Sequence, residues 1–342
     1  MLVAAGLALA SSAPAHALEP DVNLSGVFGL GASYFHSDNS GDAVNLANNG
    51  SNFRLSGAIQ EVNLRAFMAY ERGAANDRVN FEEVREFFGG ISSPYGTLLY
   101  GLKSTDYKLA GQRLDPFYNT SVAGYTGTTD VKFAAPEPGA SFGLSPLTNG
   151  FTSSTLAYRT ISLAGFTGNL GAYVHDNTPG NNQSDYGAGI GYANSDWLGL
   201  DAGLQFLGVN ASGGPPAVAG APGKLKAYRL HGSIGEKLWA AGLSLEVLDV
   251  DAEAKPRKYA YLSGSYQLAQ DWRLAMAYGH VQDTDSALVP YDGDGVTLGA
   301  FYDLARNLTT YAAARYVSLT NGAKDKTVSA AVGVKFTFDV NL

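Results

Sequence analysis

TVSAAVGVKFTFDVNL, residues 327–342, sorts itself by parity. Its even positions are Val328, Ala330, Val332, Val334, Phe336, Phe338, Val340 and Leu342, all apolar. Its odd positions are Thr327, Ser329, Ala331, Gly333, Lys335, Thr337, Asp339 and Asn341, all small or polar. Successive side chains of a strand point to opposite faces, so the pattern predicts one strand with an apolar face and a wet face. Strands of globular proteins commonly run about 5–6 residues; this one carries no turn signal along its length.

The same alternation recurs toward the N-terminus. Segments at 22–35, 52–60, 61–72, 84–92, 96–104, 153–161, 166–176, 185–195, 197–209, 226–236, 238–249, 257–268, 271–282, 295–304, 307–318 and 327–340 read as sixteen strands, and no stretch sustains a helical period. In 226–236, for example, Tyr228, Leu230 and Ile234 oppose Arg229 and His231; in 271–282, Trp272, Leu274, Met276 and Tyr278 oppose Arg273. Composition is compatible with this: of 342 residues 45% are hydrophobic, with 42 Gly and 20 Tyr. Only 16% are charged, against about a quarter in a typical soluble domain. The net charge of −8 argues against a nucleic-acid partner. Cysteine is absent, which excludes a disulfide framework and thiolate metal sites.

MLVAAGLALASSAPAHA, residues 1–17, is apolar, then small, and ends Ala15-His16-Ala17, the pattern of a cleaved export signal that lacks its basic start. The expected domains are therefore a signal segment at 1–17 and one unit at 18–342. Beyond it no uninterrupted run of about 18 apolar residues exists, so a helical membrane span is excluded.

Connector length decides what the sheet is for. Tight turns at 60–61, 92–95, 162–165, 195–196, 236–238, 269–270 and 305–306 alternate with long polar connections at 36–51, 73–83, 105–152, 177–184, 210–225, 250–256, 283–294 and 319–326. A transmembrane barrel places short turns on one side and long loops on the other. In hydrocarbon every backbone N–H and C=O must be paired within the protein, so β-strands cross only as a closed cylinder. The expectation is an all-β chain: a 16-stranded antiparallel transmembrane β-barrel, apolar face to lipid, wet face to a water-filled bore. Trp197, Trp239, Trp272, Tyr34 and Tyr316 suit the interfacial belts.

The connection at 105–152 exceeds all others, and loops of such length are usually functional or disordered. It holds Tyr107, Phe117, Tyr118, Tyr125, Phe133 and Phe142, which call for packing, and the acids Asp106, Asp115, Asp130 and Glu137.

Four stretches resemble the Gram-negative general porin family in order: NFRLSGAIQEVNLRAFMAYERG, VREFFGGISSPYGTLLYGLKS, DPFYN in the third loop, and STLAYRTISLAGFTGNLGAY. The resemblance covers most of the chain from Val22. It implies a homotrimer in the outer membrane, in contact with lipopolysaccharide, with the third loop folded into the lumen as an eyelet for passive diffusion. It further implies a basic wall of Arg54, Arg85 and Arg159, with Lys103 and, on parity, Arg65. Facing it would be loop acids, foremost Asp115 and Glu137, with Asp106 and Asp130 beside them. The family commonly closes on a terminal Phe read by the outer-membrane assembly machinery; this chain ends Phe338-Asp339-Val340-Asn341-Leu342.

No H-E-x-x-H, G-x-S-x-G or P-loop is present, and the His175-Asp176-Asn177 run has no serine placed with it, so neither catalysis nor a cofactor is expected. Tyr291-Asp292-Gly293-Asp294-Gly295 is a fragment of a calcium-loop pattern without its bidentate Glu, and reads as a Gly/Asp turn. Two alternatives stay open. Tyr173, Tyr259, Tyr261 and Tyr311 have inward parity, as the stacking residues of a sugar- or anion-specific porin would. A plugged barrel acting as receptor, adhesin or lipid enzyme is the other.

Overall fold

The computed structural model describes residues 21–38, 41–48, 50–73, 83–123, 142–148, 151–174, 184–209, 224–251, 254–283, 291–320 and 325–342. The expected signal segment and the His175 run lie outside them. The strands are β1 (Asp21–Ser37), β2 (Gly41–Asn48), β3 (Asn52–Glu61), β4 (Leu64–Gly73), β5 (Glu83–Ser93), β6 (Gly96–Ser104), β7 (Phe151–Thr160), β8 (Phe166–Val174) and β9 (Ser184–Asn194). They continue as β10 (Leu200–Val209), β11 (Leu225–Glu236), β12 (Trp239–Val250), β13 (Arg257–Ala269), β14 (Trp272–Asp283), β15 (Tyr291–Ala305), β16 (Leu308–Leu319) and β17 (Asp325–Asn341). From β3 to β17 each strand pairs antiparallel with the next, and β17 pairs with β1 from Asn23↔Asn341 to Ser37↔Thr327, which closes the cylinder.

β2 and β3 are two halves of one stave. β3 covers Asp21 to Val27 of β1, and β2 covers Leu30 to Ser37. Between them Gly50 takes φ +73°, a left-handed backbone that glycine adopts without a Cβ penalty. Seventeen strands thus make the sixteen staves that the alternation predicts. The expectation of a loop across 36–51 is corrected accordingly. GDAVNLAN reads as a loop by composition, yet its backbone pairs with β1, and Val44 and Leu46 stand outward.

Three smaller corrections follow from local backbone. The first tight turn lies at Val62-Asn63, two residues later than expected. β10 starts at Leu200, because Leu198 and Gly199 take φ +51° and +56° and end the preceding turn. Tyr291–Gly295 belongs to β15 and not to a turn, so Asp292 and Asp294 share one strand face, where Asp294 accepts from Tyr278 and lies 3.0 Å from His280 Nδ1.

The two faces differ as lipid and water would require. Leu204, Leu230, Leu245, Leu262, Met276 and Leu298 stand outward, half exposed, while the residues between them, such as Gln205, Arg229, Glu246 and Tyr261, are buried inward. Aromatic belts bracket this apolar band. Tyr186, Phe206 and Tyr228 follow one another at 5.5 and 5.2 Å near the long-loop rim. Phe166–Tyr192, Trp272–Tyr302 and Phe28–Phe338 pair at 4.7, 4.8 and 5.7 Å near the short-turn rim. The last pair places Phe338 beside β1, three residues short of the strand's end at Asn341. The packed core lies within the cylinder: Tyr107, Phe117, Val122 and Leu144 from the β6–β7 connection bury against inward residues of β8–β17.

Leu230 sits mid-band between Leu204 and Leu245 on its neighbours. Leu230→Arg is expected to destabilise the folded barrel by about 2–4 kcal/mol in lipid, read from denaturant unfolding in vesicles. An unchanged midpoint would show that this face does not meet hydrocarbon.

Candidate functional site

After β6 the chain turns inward. Thr105 caps helix α1 (Asp106–Gln112), its hydroxyl accepting from the Lys108 amide at 3.0 Å. The described parts of the connection, through Ala123 and again from Phe142 to Thr148, touch inward side chains of the wall at three places.

The first is a buried ion pair. Arg229 on β11 and Glu246 on β12 are directly opposite in register, with Nη2 and Oε2 3.0 Å apart and side chains 0% and 1% exposed. Arg229 donates through Nη1 to the Tyr107 carbonyl and through Nη2 to Thr148 Oγ1 at 2.7 Å, and its guanidinium lies 4.3 Å from the Tyr107 ring centre. Glu246 accepts from the Tyr107 hydroxyl at 2.5 Å, from the Ser145 amide at 3.2 Å and from the Ser145 hydroxyl. Burial, and then the carboxylate beside it, push the Tyr107 phenol well above its usual range, so it stays a donor. Removing two charges from water costs several kcal/mol per ion unless the remaining donors and acceptors are met. Here both arms of the loop meet them at every atom but Arg229 Nε, so the pair keeps its partners only while the loop is seated.

The second place is the DPFYN stretch. Asp115 accepts from the Phe117 amide at 2.9 Å and from the Tyr261 hydroxyl at 2.7 Å. Ser263 donates to the Leu114 carbonyl at 2.5 Å, Arg315 to that of Ala123 at 3.0 Å, and Lys335 to that of Tyr118 at 2.7 Å. Phe117 is fully buried, 6.0 Å from the Phe301 ring. The third place is Phe142, which rests on Gly279 and Gly295. A Cβ on either glycine would come within 2.5 Å of Phe142, so the wall must be bare there for the loop to approach.

The basic wall residues sit across from these anchors on β3–β7. Arg54 lies 2.7 Å from Glu86 and 3.6 Å from Glu71, with Phe88 beneath its guanidinium at 5.5 Å. Arg85 is the extra residue where the β4–β5 register shifts; the bulge turns Arg85 and Glu86 inward together, and Arg85 lies against Gly73. Arg159 on β7 pairs with Asp106, and Lys103 on β6 is 4.0 Å from the same carboxylate. Arg65 has inward parity but lies exposed near the short-turn rim, paired in register with Gln60 and Ser92, away from the others. Of the loop acids, Asp106 meets the basic wall directly, whereas Asp115 is buried and occupied in fastening the loop. Asp130 and Glu137 lie outside the described residues.

In sequence Arg229, Glu246 and Arg315 are only polar positions that alternate with apolar ones. Their alternation was visible. Their common partner, a loop reached from far along the chain, was not.

A closed antiparallel cylinder with an apolar belt outside and a charged, loop-bearing interior defines a pore-forming membrane barrel. The model of the Gram-negative porin family matches residues 2–322, and the chain belongs to that family. It forms a channel for passive diffusion of solutes and resides in the outer membrane. Solved structures agree in fold. The anion-selective porin from Comamonas acidovorans superposes with a TM-score of 0.74 at 17% identity, covering 94% of this chain and all of that one. The trimer form of the outer-membrane protein OmpT of Vibrio cholerae gives 0.66 at 14% identity, with 93% and 99% covered. Salmonella typhi OmpF, in complex with daunomycin, gives 0.63 at 16% identity, with 93% and 97% covered. No match was found among curated proteins.

Two substitutions test the anchors. Glu246→Ala leaves Arg229 buried without its counter-charge and is expected to weaken loop seating by about 3–5 kcal/mol, read as new protease cleavage within the loop and as flicker in single-channel current. Gly279→Val is expected to lift Phe142 from the wall and change open-channel conductance. A conductance equal to wild type would place the loop's influence elsewhere.

Proposed function

We propose that this chain is a general diffusion porin whose narrowest section is framed by the seated β6–β7 loop and the basic wall of Arg54, Arg85, Lys103 and Arg159. The observation that carries the reading is the fastening of the loop to inward residues through Arg229–Glu246 and Asp115–Tyr261. A loop held this way reduces the bore at a fixed place rather than moving freely in it. Charges of both signs then face a narrow polar passage with a low-dielectric wall around it, and such an arrangement makes a strong transverse field. A hydrated dipolar solute can align in that field, while an apolar one must displace ordered water. Rings of charge also bias ions by sign. Among the described residues five cations, Arg54, Arg85, Lys103, Lys108 and Arg159, stand with four carboxylates, Glu71, Glu86, Asp106 and Asp185, so both signs of charge meet there.

The same reading includes a homotrimer in contact with lipopolysaccharide, removal of 1–17 on export, and recognition of the last strand by the assembly machinery. It assigns no reaction to the chain. The sugar-specific alternative is disfavoured by one observation: Tyr173, Tyr259, Tyr261 and Tyr311 are 5%, 3%, 2% and 4% exposed, and offer no stacking face to a passing solute.

Neutralising Arg54, Arg85 and Arg159 together with Gln is expected to move the zero-current potential in a KCl gradient toward that of a cation-preferring channel. Equal potentials for the triple variant and wild type would remove these residues from ion selection. A purified protein that passes no current in planar bilayers would overturn the open-pore reading itself.

A further inference from the structure

The β14–β17 wall carries two cations that do not belong to the basic wall on β3–β7. Arg273 follows Trp272 at the start of β14, and Lys335 is in register with Thr309 near the start of β16, so both lie inward close to the short-turn rim. On the two strands between them, Phe301 and Tyr311 are opposite in register, with ring centres 5.9 Å apart. Arg273 lies 4.0 Å from the centre of Phe301, and Lys335 Nζ 5.8 Å from that of Tyr311. The rings thus act as platforms for the cations. A guanidinium at stacking distance keeps its in-plane N–H fork free for an oxyanion.

The two cations lie over adjoining rings of one aromatic pair, so their like charges face the same small stretch of wall. Among the described residues no carboxylate lies within 4.0 Å of either. Asp303 on β15 and Asp115 of the loop are already engaged. Asp303 accepts from Thr309 Oγ1 at 2.6 Å, and Asp115 from Tyr261 and the Phe117 amide. Lys335 gives one N–H to the Tyr118 carbonyl and keeps two. Both side chains are partly buried, shielded from bulk water without being sealed from it. Like charges held together without a counter-ion are what an anion of charge two would relieve.

We propose that Arg273 and Lys335 form an oxyanion-binding step on the short-turn side of the loop, taking small dianions, the chemistry shared by dicarboxylates and inorganic phosphate. The step rests on the channel reading and adds to it a place where a permeating solute pauses. It differs from the basic wall, where Arg54 and Arg159 are already matched by carboxylates.

Single-channel current of the intact protein in KCl is the test, with succinate or phosphate added at neutral pH to either side. In wild type the chloride current is expected to fall along a saturating curve. In R273Q and in K335Q the half-saturating concentration is expected to rise about tenfold, the loss of one charge-assisted contact. In K258Q, on the outer face, it should match wild type. Saturation by succinate alone assigns a carboxylate solute, and by phosphate alone a phosphate. A strictly proportional current in wild type, or half-saturation in both variants equal to that of wild type, overturns the step while leaving the channel reading intact. No KCl current at all would overturn both.

Discussion

The whole molecule depends on the cost of an unpaired backbone amide in hydrocarbon. Each such group costs several kcal/mol, so the sheet cannot end: β17 must find β1, and it does over fifteen residue pairs, from Asn23↔Asn341 to Ser37↔Thr327. Closure then sorts the side chains without further instruction. One parity of every strand meets lipid and the other meets the bore. The long-loop and short-turn rims follow from the even number of staves. Even the irregular β2–β3 stave obeys the rule, since its break at Gly50 interrupts pairing for only a few residues.

Closure leaves a second problem, an interior too wide for wall side chains to fill. The β6–β7 connection solves part of it by becoming the core. In a soluble protein apolar residues of several elements pack together away from water. Here one loop supplies Tyr107, Phe117, Val122 and Leu144, and the wall supplies alanines, tyrosines and Phe301. Polar anchors give the loop its place: the Arg229–Glu246 pair holds its two arms, and Asp115 holds its middle. Packing contributes adhesion, and the buried charges contribute register, because a shifted loop would take away the partners that Arg229 and Glu246 have on it.

Legibility tracked the range of the interactions. Strand existence was readable because alternation is local: Leu230 and Arg229 differ in face wherever the strand goes. Strand ends were less so, as 41–48 shows. Its Asn, Gly and Asp argue for a loop, and only pairing with β1 makes it a strand. Arg54 and Arg159 could be placed on the wall by parity and resemblance, but not their partners. Arg85 joins Glu86 on the inward face only because a bulge there turns two consecutive residues inward, a shift no alternation rule contains. Arg273 and Lys335 lie more than sixty residues apart in the chain and become neighbours only through two intervening strands.

By itself the sequence determined that the chain is a sixteen-stave cylinder with lipid outside and water within, because period-two hydrophobicity and alternating connector lengths are properties of neighbouring residues. Tertiary structure alone decided where the long loop rests, which carboxylates it and the wall share with which arginines, and which cations remain unmatched. Those outcomes are set by register across the sheet and by contact across the bore, and electrostatic pairing at a few ångströms cannot be read from positions a hundred residues apart.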